Sequence, residues 1–285
     1  MRGNEKFYIH TFGCQMNEND SERMAGILKA SGLEQTSSPE KSHIIIVNTC
    51  AVREKSEEKL FSLLGRLERI KRKNQALIGV TGCVAQLYRS KLWDRKPFID
   101  FILGPDNYSQ LPQILHLESE DRVVATRRKE VWQEIPYAQT LPDSRVSAYI
   151  TIMEGCNNFC AYCVVPFTRG REKYRPLRLI VEEAEQLASR GVQEVQLLGQ
   201  NVNSYVDPES AKTFSDLLKA VENVDGISWI RFITSHPKNF SDEIARTMER
   251  LCPRAMLLNF TNPEHKLCEA LTRLTSIQTV GLCHG

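Results

Sequence analysis

Short apolar runs alternate with amphipathic stretches along the first hundred residues. The runs are rich in aromatic and β-branched residues and predict β-strands over 7–12, 43–48, 77–81 and 99–103. One helix is predicted to start at the polar cluster 19–21 and to stop at Gly32, and a second over 56–72, where four leucines and Ile70 form one stripe. Strands that alternate with helices predict a parallel sheet with right-handed crossovers.

A mixed segment, 106–147, interrupts this alternation. Its 111–117 stretch predicts a helix, and two prolines mark residues 126–147 as a linker. Strands are then predicted over 148–153, 193–198 and 228–233, with helices over 177–190, 214–224 and 241–251. Three consecutive βα units predict a barrel or partial barrel with its active site at the strand carboxyl ends. The predicted fold class is therefore α/β, an N-terminal parallel-sheet domain over 1–125 followed by an incomplete (βα) barrel.

Composition adds one unusual feature, the cysteine content. The chain has 285 residues, 41% of them apolar, and a net charge of +2, which excludes collagen-like and disordered classes and leaves any anion-binding surface local. The chain is too long for a small disulfide scaffold, and its nine cysteines, an odd number, fit poorly with paired disulfides. The first residues predict no signal peptide, and no apolar run reaches the roughly 18–20 residues of a membrane span. A reducing cytoplasm is expected, where clustered thiols indicate metal or redox chemistry.

Three cysteines each follow a predicted strand. Cys14, Cys50 and Cys83 come after the first three strands at intervals of about one strand–helix unit. Because parallel strands end at one edge of a sheet, the three thiols are predicted to converge. Separate burial of each thiol as a small hydrophobe is the alternative. The shared register favours a common metal site.

Three further cysteines lie within eight residues. Cys156, Cys160 and Cys163 follow a predicted strand with the spacing Cys-x₃-Cys-x₂-Cys. Three thiolates on a four-iron cluster leave one iron open for a small molecule, unlike the four-cysteine ligation of electron-transfer clusters. The alternative is a structural zinc site with a distant fourth ligand, which would usually show Cys-x₂-Cys pairs.

Polar and basic residues lie around this triplet and at the next strand ends. Gly199, Gln200 and Asn201 follow one strand and Ser235 follows another, where they could hold a zwitterionic cofactor. Arg169, Arg171 and Arg175 belong to a basic run directly after the triplet, which predicts either RNA contact or a solvated face.

With these motifs the sequence resembles the radical S-adenosylmethionine (SAM) methylthiotransferases, and within them the MiaB-type tRNA-modifying branch. The matching segments are TFGCQMNENDSERMAGIL, VNTCAVREKSEEKLFSLLGRL, TGCVAQ, EGCNNFCAYCVVPFTRGRE, LLGQNVNSY and FITSHP. They cover roughly residues 7–252. The resemblance implies an enzyme that methylthiolates C2 of N6-dimethylallyladenosine beside the tRNA anticodon.

The resemblance also implies cofactors and partners. Cys156, Cys160 and Cys163 would hold a 4Fe–4S cluster that binds SAM, with Tyr162 against the SAM adenine, and Cys14, Cys50 and Cys83 would hold an auxiliary 4Fe–4S cluster. Radical and sulfur chemistry of this kind must come from cofactors, because an aromatic C–H bond is beyond acid–base catalysis. The expected partners are tRNA and a low-potential electron donor such as flavodoxin or ferredoxin, with no membrane.

The last part of the chain departs from this pattern. The predicted radical SAM domain runs over 148–252, and residues 253–285 form a non-family tail whose segments NFTNP and VGLCHG resemble NAD-dependent glycosidases of the α-galactosidase type. Cys268 and Cys283 in this tail are interpreted as incidental. The alternatives to the enzyme are an inactive cluster-binding or RNA-binding remnant, a zinc-stapled structural protein, or a methylthiotransferase for threonylcarbamoyl-adenosine tRNA or a ribosomal-protein aspartate.

Overall fold

The computed structural model describes residues 5–51, 54–114, 122–134, 146–259 and 264–282. The chain divides into two compact units. The N-terminal unit contains Met1–Asp143 and Gly155–Glu172, and the C-terminal unit contains Ser144–Glu154 and Lys173–Gly285. The predicted cysteine triplet thus belongs to the same unit as the first three cysteines.

A six-stranded, fully parallel sheet forms the N-terminal unit, in the order β2-β1-β3-β4-β5-β6. Its strands are β1 (Lys6–Phe12), β2 (Glu34–Gln35), β3 (Ile44–Thr49), β4 (Leu77–Thr81), β5 (Phe101–Leu103) and β6 (Val123–Ala125). Every residue of β3 is buried, as expected of a central strand covered on both faces. The prediction of a parallel α/β sheet is confirmed.

Helices cover both faces of this sheet. They are α1 (Gln15–Ala30), α2 (Glu54–Asn74), α3 (Gly82–Tyr88), α4 (Lys91–Arg95), α5 (Leu111–Ile114) and α6 (Val165–Thr168). Alternate residues of β3 enter two cores: Ile45 packs with the leucine stripe of α2, and Ile46 packs with Met24 and Leu28 of α1. The predicted linker is described over 126–134 and 146–147, and the predicted helix over 111–117 only up to residue 114.

The prediction for the start of α1 was wrong. The helix begins at Gln15, four residues before the polar cluster 19–21, and Cys14 is its extended N-cap residue. Asn19 and Asp20 are buried inside the helix. Their side chains serve internal contacts and do not cap the helix.

A three-stranded parallel sheet, β11-β10-β7, organises the C-terminal unit. Its elements are β7 (Ser147–Thr151), β8 (Met153–Glu154), β9 (Lys173–Tyr174), α7 (Leu177–Ser189), β10 (Glu194–Leu198), α8 (Phe214–Glu222), β11 (Trp229–Phe232), α9 (Asp242–Leu251), β12 (Met256–Asn259), α10 (Glu264–Leu274) and β13 (Gln278–Gly281). The strand predicted over 148–153 is divided, because β8 leaves β7 and pairs antiparallel with β9. In the tail, β12, α10 and β13 make one more parallel strand–helix–strand unit.

Candidate metal centre

Cys14 and Cys50 lie side by side at the carboxyl ends of β1 and β3. Cys14 caps α1, and its carbonyl accepts hydrogen bonds from the amides of Asn17 and Glu18 at 2.8 and 3.1 Å. The amide of Cys50 donates to the carbonyl of Phe12 at 2.9 Å. A hydrogen bond from the Cys50 thiol lowers the pKa of Cys14 to about 6, against the opposing effect of burial. Cys14 is thereby biased toward the thiolate, which is the form that binds metal.

Cys83 is brought to the same edge by a glycine turn. Gly82 has φ of +85°, and a β-carbon there would lie 2.8 Å from the carbonyl oxygen of Thr49, so only glycine fits this close approach. An isolated β-bridge joins Thr49 to Gly82. Each of these residues precedes one cysteine, Cys50 or Cys83. The turn therefore sets the segments of the second and third cysteines against each other.

A buried asparagine connects the first two segments. The side-chain amide of Asn48, in β3, donates to the carbonyl of Asn17 at 2.8 Å and to the hydroxyl of Ser21 at 2.9 Å. Asn17 donates in return to the side-chain oxygen of Asn48 at 3.2 Å. Both asparagines are fully buried. They hold the start of α1, and with it Cys14, against the end of β3.

A buried ionic cluster lies beside these cysteines. The guanidinium of Arg169 pairs with Asp20 of α1 at 2.5 Å, and both side chains are at most 3% exposed. The hydroxyl of Tyr108 donates to the same carboxylate at 3.2 Å, and burial raises the pKa of that hydroxyl well above its usual value. The charge of Arg169 also lowers the pKa of Cys14. Arg169 follows the cysteine triplet in sequence, so this cluster ties the triplet's loop to the first cysteine's helix.

The triplet itself occupies a closed loop. Gly155 has φ of +82° and packs on the backbone of Gly170 and Arg171, and the amide of Cys156 donates to the carbonyl of Gly170 at 3.1 Å. Near the two ends of the loop, the side-chain amide of Asn157 donates to the carboxylate of Glu172 at 3.1 Å, and the backbone amide of Glu172 donates to the side-chain oxygen of Asn157 at 3.2 Å.

Inside this loop each of the three cysteines has a hydrogen bond to a neighbouring residue of the loop. The amide of Cys163 donates to the carbonyl of Cys160 at 2.9 Å, and Asn158 donates to the sulfur of Cys156 at 3.6 Å. Burial, and to a smaller extent the nearby Glu172 and Cys163, raise the pKa of Cys156, and Tyr162 points into solvent.

In the C-terminal unit, the loops after β10 and β11 are joined by hydrogen bonds. Thr234 donates to the carbonyl of Gly199 at 2.7 Å, and the side chains of Asn201 and Asn239 are bonded at 3.0 Å. Gly199 packs on Met153, whose sulfur would lie 2.6 Å from an added β-carbon. Gly199, Gln200, Asn201 and Ser235 all follow strand ends, as predicted. Their contact with a cofactor stays a prediction.

Comparison with known proteins gives two family matches that together cover most of the chain. Residues 6–104 match the Uncharacterized protein family UPF0004, and residues 150–279 match the Radical SAM superfamily. A tRNA-2-methylthio-N(6)-dimethylallyladenosine synthase from Thermodesulfovibrio yellowstonii is 48% identical over 246 residues. The synthases of the same name from Dictyoglomus thermophilum and Thermotoga petrophila are 44% and 45% identical over 253 and 249 residues.

Over most of its length the chain is therefore similar to radical SAM methylthiotransferases. The three matches cover 85–87% of the chain but only 55–58% of the relatives, so the chain spans little more than half of their length. The superfamily match runs to residue 279, past residue 252, where the predicted radical SAM domain ends. The glycosidase resemblance of the tail stays a prediction.

A solved radical SAM methyltransferase, TsrM from Kitasatospora setae, has a related fold. With tryptophan and a SAM analogue bound it matches with a TM-score of 0.63 at 13% identity, over 97% of this chain and 67% of that one. In the part of the chain that the structure describes, no helix has the length and apolarity to cross a membrane.

For an iron–sulfur cluster the spacing of the ligand sulfurs matters. Among the described residues, no three His, Cys, Asp or Glu side chains come close enough to share a single metal ion. A cubane cluster offers a separate iron to each cysteine, so its ligands stand farther apart than those of one zinc ion. Three features are consistent with such clusters: the lowered pKa of Cys14, the close approach at Gly82 on the sheet edge, and the closed loop around Cys156.

Two of the three arginines predicted to contact RNA are buried, which contradicts that prediction for them. Arg169 forms the ion pair with Asp20, and Arg175 pairs with Glu183 and is 5% exposed. Their guanidinium groups are used inside the protein because each faces a buried carboxylate. Arg171 is exposed, over the ring of Phe159 at 5.6 Å.

Sequence reasoning missed three residues of this site. Asn48, Asp20 and Tyr108 are buried polar side chains beside the cysteines. A polar residue that ends an otherwise apolar run was the available signal for Asn48. Asp20 and Tyr108 gave none, because Asp20 is 88 residues from Tyr108 and 149 residues from Arg169 in sequence.

Of the cysteines outside the two triads, Cys252 is exposed and Cys268 accepts a hydrogen bond from Asn259 at 3.5 Å. Cys283 lies outside the described residues.

Proposed function

We propose that this chain carries the catalytic chemistry of a tRNA methylthiotransferase that places a methylthio group on C2 of N6-dimethylallyladenosine next to the anticodon. The observation that carries the proposal is that all six predicted ligand cysteines belong to one compact unit, where an ionic cluster connects the two triads. The named synthases at 44–48% identity support the same substrate.

Each triad is assigned one 4Fe–4S cluster. Cys156, Cys160 and Cys163 would hold the SAM-binding cluster, and Cys14, Cys50 and Cys83 the auxiliary cluster. When bound, these groups and SAM supply a 5′-deoxyadenosyl radical that removes the C2 hydrogen and a methylated sulfur that replaces it. Tyr162 and the strand-end residues Gly199, Gln200, Asn201 and Ser235 are assigned to SAM.

The protein's own contribution is to position the ligand cysteines and to shield them from water. Asn48 and Gly82 fix the three cysteine segments of the auxiliary site. Arg169 brings a buried positive charge to that site, which favours the thiolate of Cys14 and offsets part of the negative charge of a thiolate-ligated cluster. The closed loop around Cys156 keeps one ligand sulfur buried, which limits side reactions with water.

The proposed partners are tRNA and a low-potential electron donor such as flavodoxin or ferredoxin, in the cytoplasm. Of the three arginines predicted to contact RNA, only Arg171 is exposed, so only this one is retained.

Anaerobic reconstitution of the whole chain with iron and sulfide tests this function. We expect about eight irons per chain and release of 5′-deoxyadenosine from SAM after reduction. Replacing Cys14, Cys50 and Cys83 together by Ala is expected to halve the iron and retain SAM cleavage. Replacing Cys156, Cys160 and Cys163 is expected to halve the iron and abolish cleavage. Cys252→Ala, at an exposed cysteine that belongs to neither triad, is the control.

Two outcomes would overturn the proposal. Iron bound without any SAM cleavage would indicate the inactive remnant. Zinc in place of iron, without visible iron–sulfur absorbance, would indicate a structural protein.

A further inference from the structure

We propose that an arginine–aromatic surface beside the cysteine triplet, formed by Arg128, Phe159, Phe167 and Arg171, binds the single-stranded anticodon loop of the RNA substrate. This inference rests on the proposed function and names the residues that would grip its substrate. All four residues belong to the N-terminal unit.

The two phenylalanines are exposed, which is unusual for rings of this size. Phe159 is 51% exposed and Phe167 is 59% exposed, although the same unit has two well-filled cores. Phe159 lies between the first two cysteines of the triplet, and Phe167 lies in α6, just after it. Exposed apolar groups near a candidate active site commonly mark a binding surface.

Two arginines lie directly against these aromatic residues. The guanidinium of Arg171 is over the ring of Phe159, 5.6 Å from its centroid. Arg128, from the predicted linker, donates a hydrogen bond to the carbonyl of Phe167 and passes Gly170, whose added β-carbon would lie 3.5 Å from its side chain. Within the described part of the chain, neither arginine makes an ion pair with a carboxylate, and both are exposed.

This combination fits a nucleic acid loop in particular. Unpaired bases stack on aromatic faces and on guanidinium planes, while arginines also contact the phosphates. An acidic protein, such as an electron donor, would use the charges but gain little from two exposed rings held next to them. The occupant that uses both features is therefore single-stranded RNA.

Binding of a fluorescent anticodon stem–loop RNA to the anaerobically reconstituted chain tests the surface. Fluorescence anisotropy would be measured at several salt concentrations for the unchanged chain, for Arg128→Gln with Arg171→Gln, for Phe159→Leu and for Phe167→Leu. The matched controls are Arg231→Gln and Trp229→Leu, because they alter another exposed arginine–aromatic pair, 5.9 Å apart, in the C-terminal unit. Iron content is determined for each variant to separate lost RNA binding from lost clusters.

We expect the double arginine variant to reduce the slope of log affinity against log salt by about 1.4–1.8, the value for two lost phosphate contacts. Each phenylalanine variant should weaken binding about 5- to 150-fold, as expected for one lost stacking contact. The controls should bind like the unchanged chain.

Unchanged RNA affinity in all three surface variants, with SAM cleavage intact in the unchanged chain, would refute the surface and leave the proposed function standing. Normal RNA affinity together with slower reduction by flavodoxin would also refute it and assign the surface to the electron donor. Absence of SAM cleavage in the unchanged chain would instead refute the proposed function.

Discussion

Replacing Asp20 by Asn should destabilise the N-terminal unit strongly. The substitution keeps the shape of the side chain and an oxygen that can accept from Tyr108, but removes the negative charge facing Arg169. Both side chains of this pair are at most 3% exposed. Breaking a buried ion pair by removing one partner costs about 3–5 kcal/mol, because the remaining charge is left in a poorly hydrated interior.

Hydrogen–deuterium exchange of the backbone amides of β3 measures this cost in the N-terminal unit, which contains the ion pair. The strand Ile44–Thr49 is fully buried, so its slowest amides exchange through opening of the sheet. A loss of 3–5 kcal/mol corresponds to an increase in exchange of about 150- to 5,000-fold, at 1.36 kcal/mol for each tenfold. Glu68→Gln is the control: it breaks the exposed Glu68–Arg72 pair of α2 and should cost at most about 1 kcal/mol.

A second variant tests the physical reason for the loss. Changing Arg169 to Gln in the Asp20→Asn background removes the positive charge that the first substitution leaves without its carboxylate partner. This should restore part of the protection of the β3 amides from exchange. The reasoning is refuted if Asp20→Asn changes exchange no more than Glu68→Gln does. It is also refuted if the double variant is less protected than Asp20→Asn alone.

Three further substitutions, one of them with a matched control, test the packing of the cysteine edge and one helix cap. Gly82→Ala should destabilise the N-terminal unit and lower iron loading, because the positive φ and the carbonyl of Thr49 exclude a β-carbon. The control Gly65→Ala, in α2 with open space around it, should raise the thermal unfolding midpoint slightly. Asn48→Ala should cost about 1–3 kcal/mol in urea unfolding, because buried hydrogen-bond partners lose their bonds; a cost below about 0.5 kcal/mol would contradict this role. Asp216 forms a capping box with Thr213, whose backbone hydrogen bond is the main cause that lowers the carboxyl's pKa. The stability that this lowered pKa provides is fully present above pH 3.8, the ordinary pKa of the group, and is lost as pH falls through the lower pKa of the folded state. Asp216→Asn should therefore lose less stability than the unchanged chain on acidification from pH 5 to pH 2. Equal losses in the two proteins would argue against the capping box.

The strands were the most predictable part of the fold, for a physical reason. The strand β4 was predicted over 77–81 and is Leu77–Thr81, and the other main strands differ by a residue or two at each end. Buried parallel strands leave a continuous apolar run in the sequence, which is a local signal. Because β1, β3 and β4 are neighbours in the sheet, the shared edge of Cys14, Cys50 and Cys83 followed from topology alone.

Local signals were misleading where a side chain has a distant partner. Asn19 and Asp20 have the residue types of a helix start, but α1 already begins at Gln15 and Asp20 is paired with Arg169. The arginine run after the triplet has the composition of a solvated or RNA-binding face, yet Arg169 and Arg175 are buried. A run of like charges does not show which members face carboxylates from remote parts of the chain, and this information exists only in the folded structure.

The contact between Asp20 and Arg169 also explains why the segment Gly155–Glu172 belongs to the N-terminal unit. In sequence this segment lies between β8 and β9 of the C-terminal unit, and those two strands pair with each other. Its fold is nevertheless set by contacts with the N-terminal sheet: Arg169 pairs with α1, and α6 packs against α3, the helix that carries Cys83. The relative placement of the two cysteine triads is therefore determined within one cooperative unit. Substitutions at Asp20 or Arg169 should consequently affect iron loading at both triads together, whereas changes at the strand ends Gly199 and Ser235 should affect SAM binding without loss of iron.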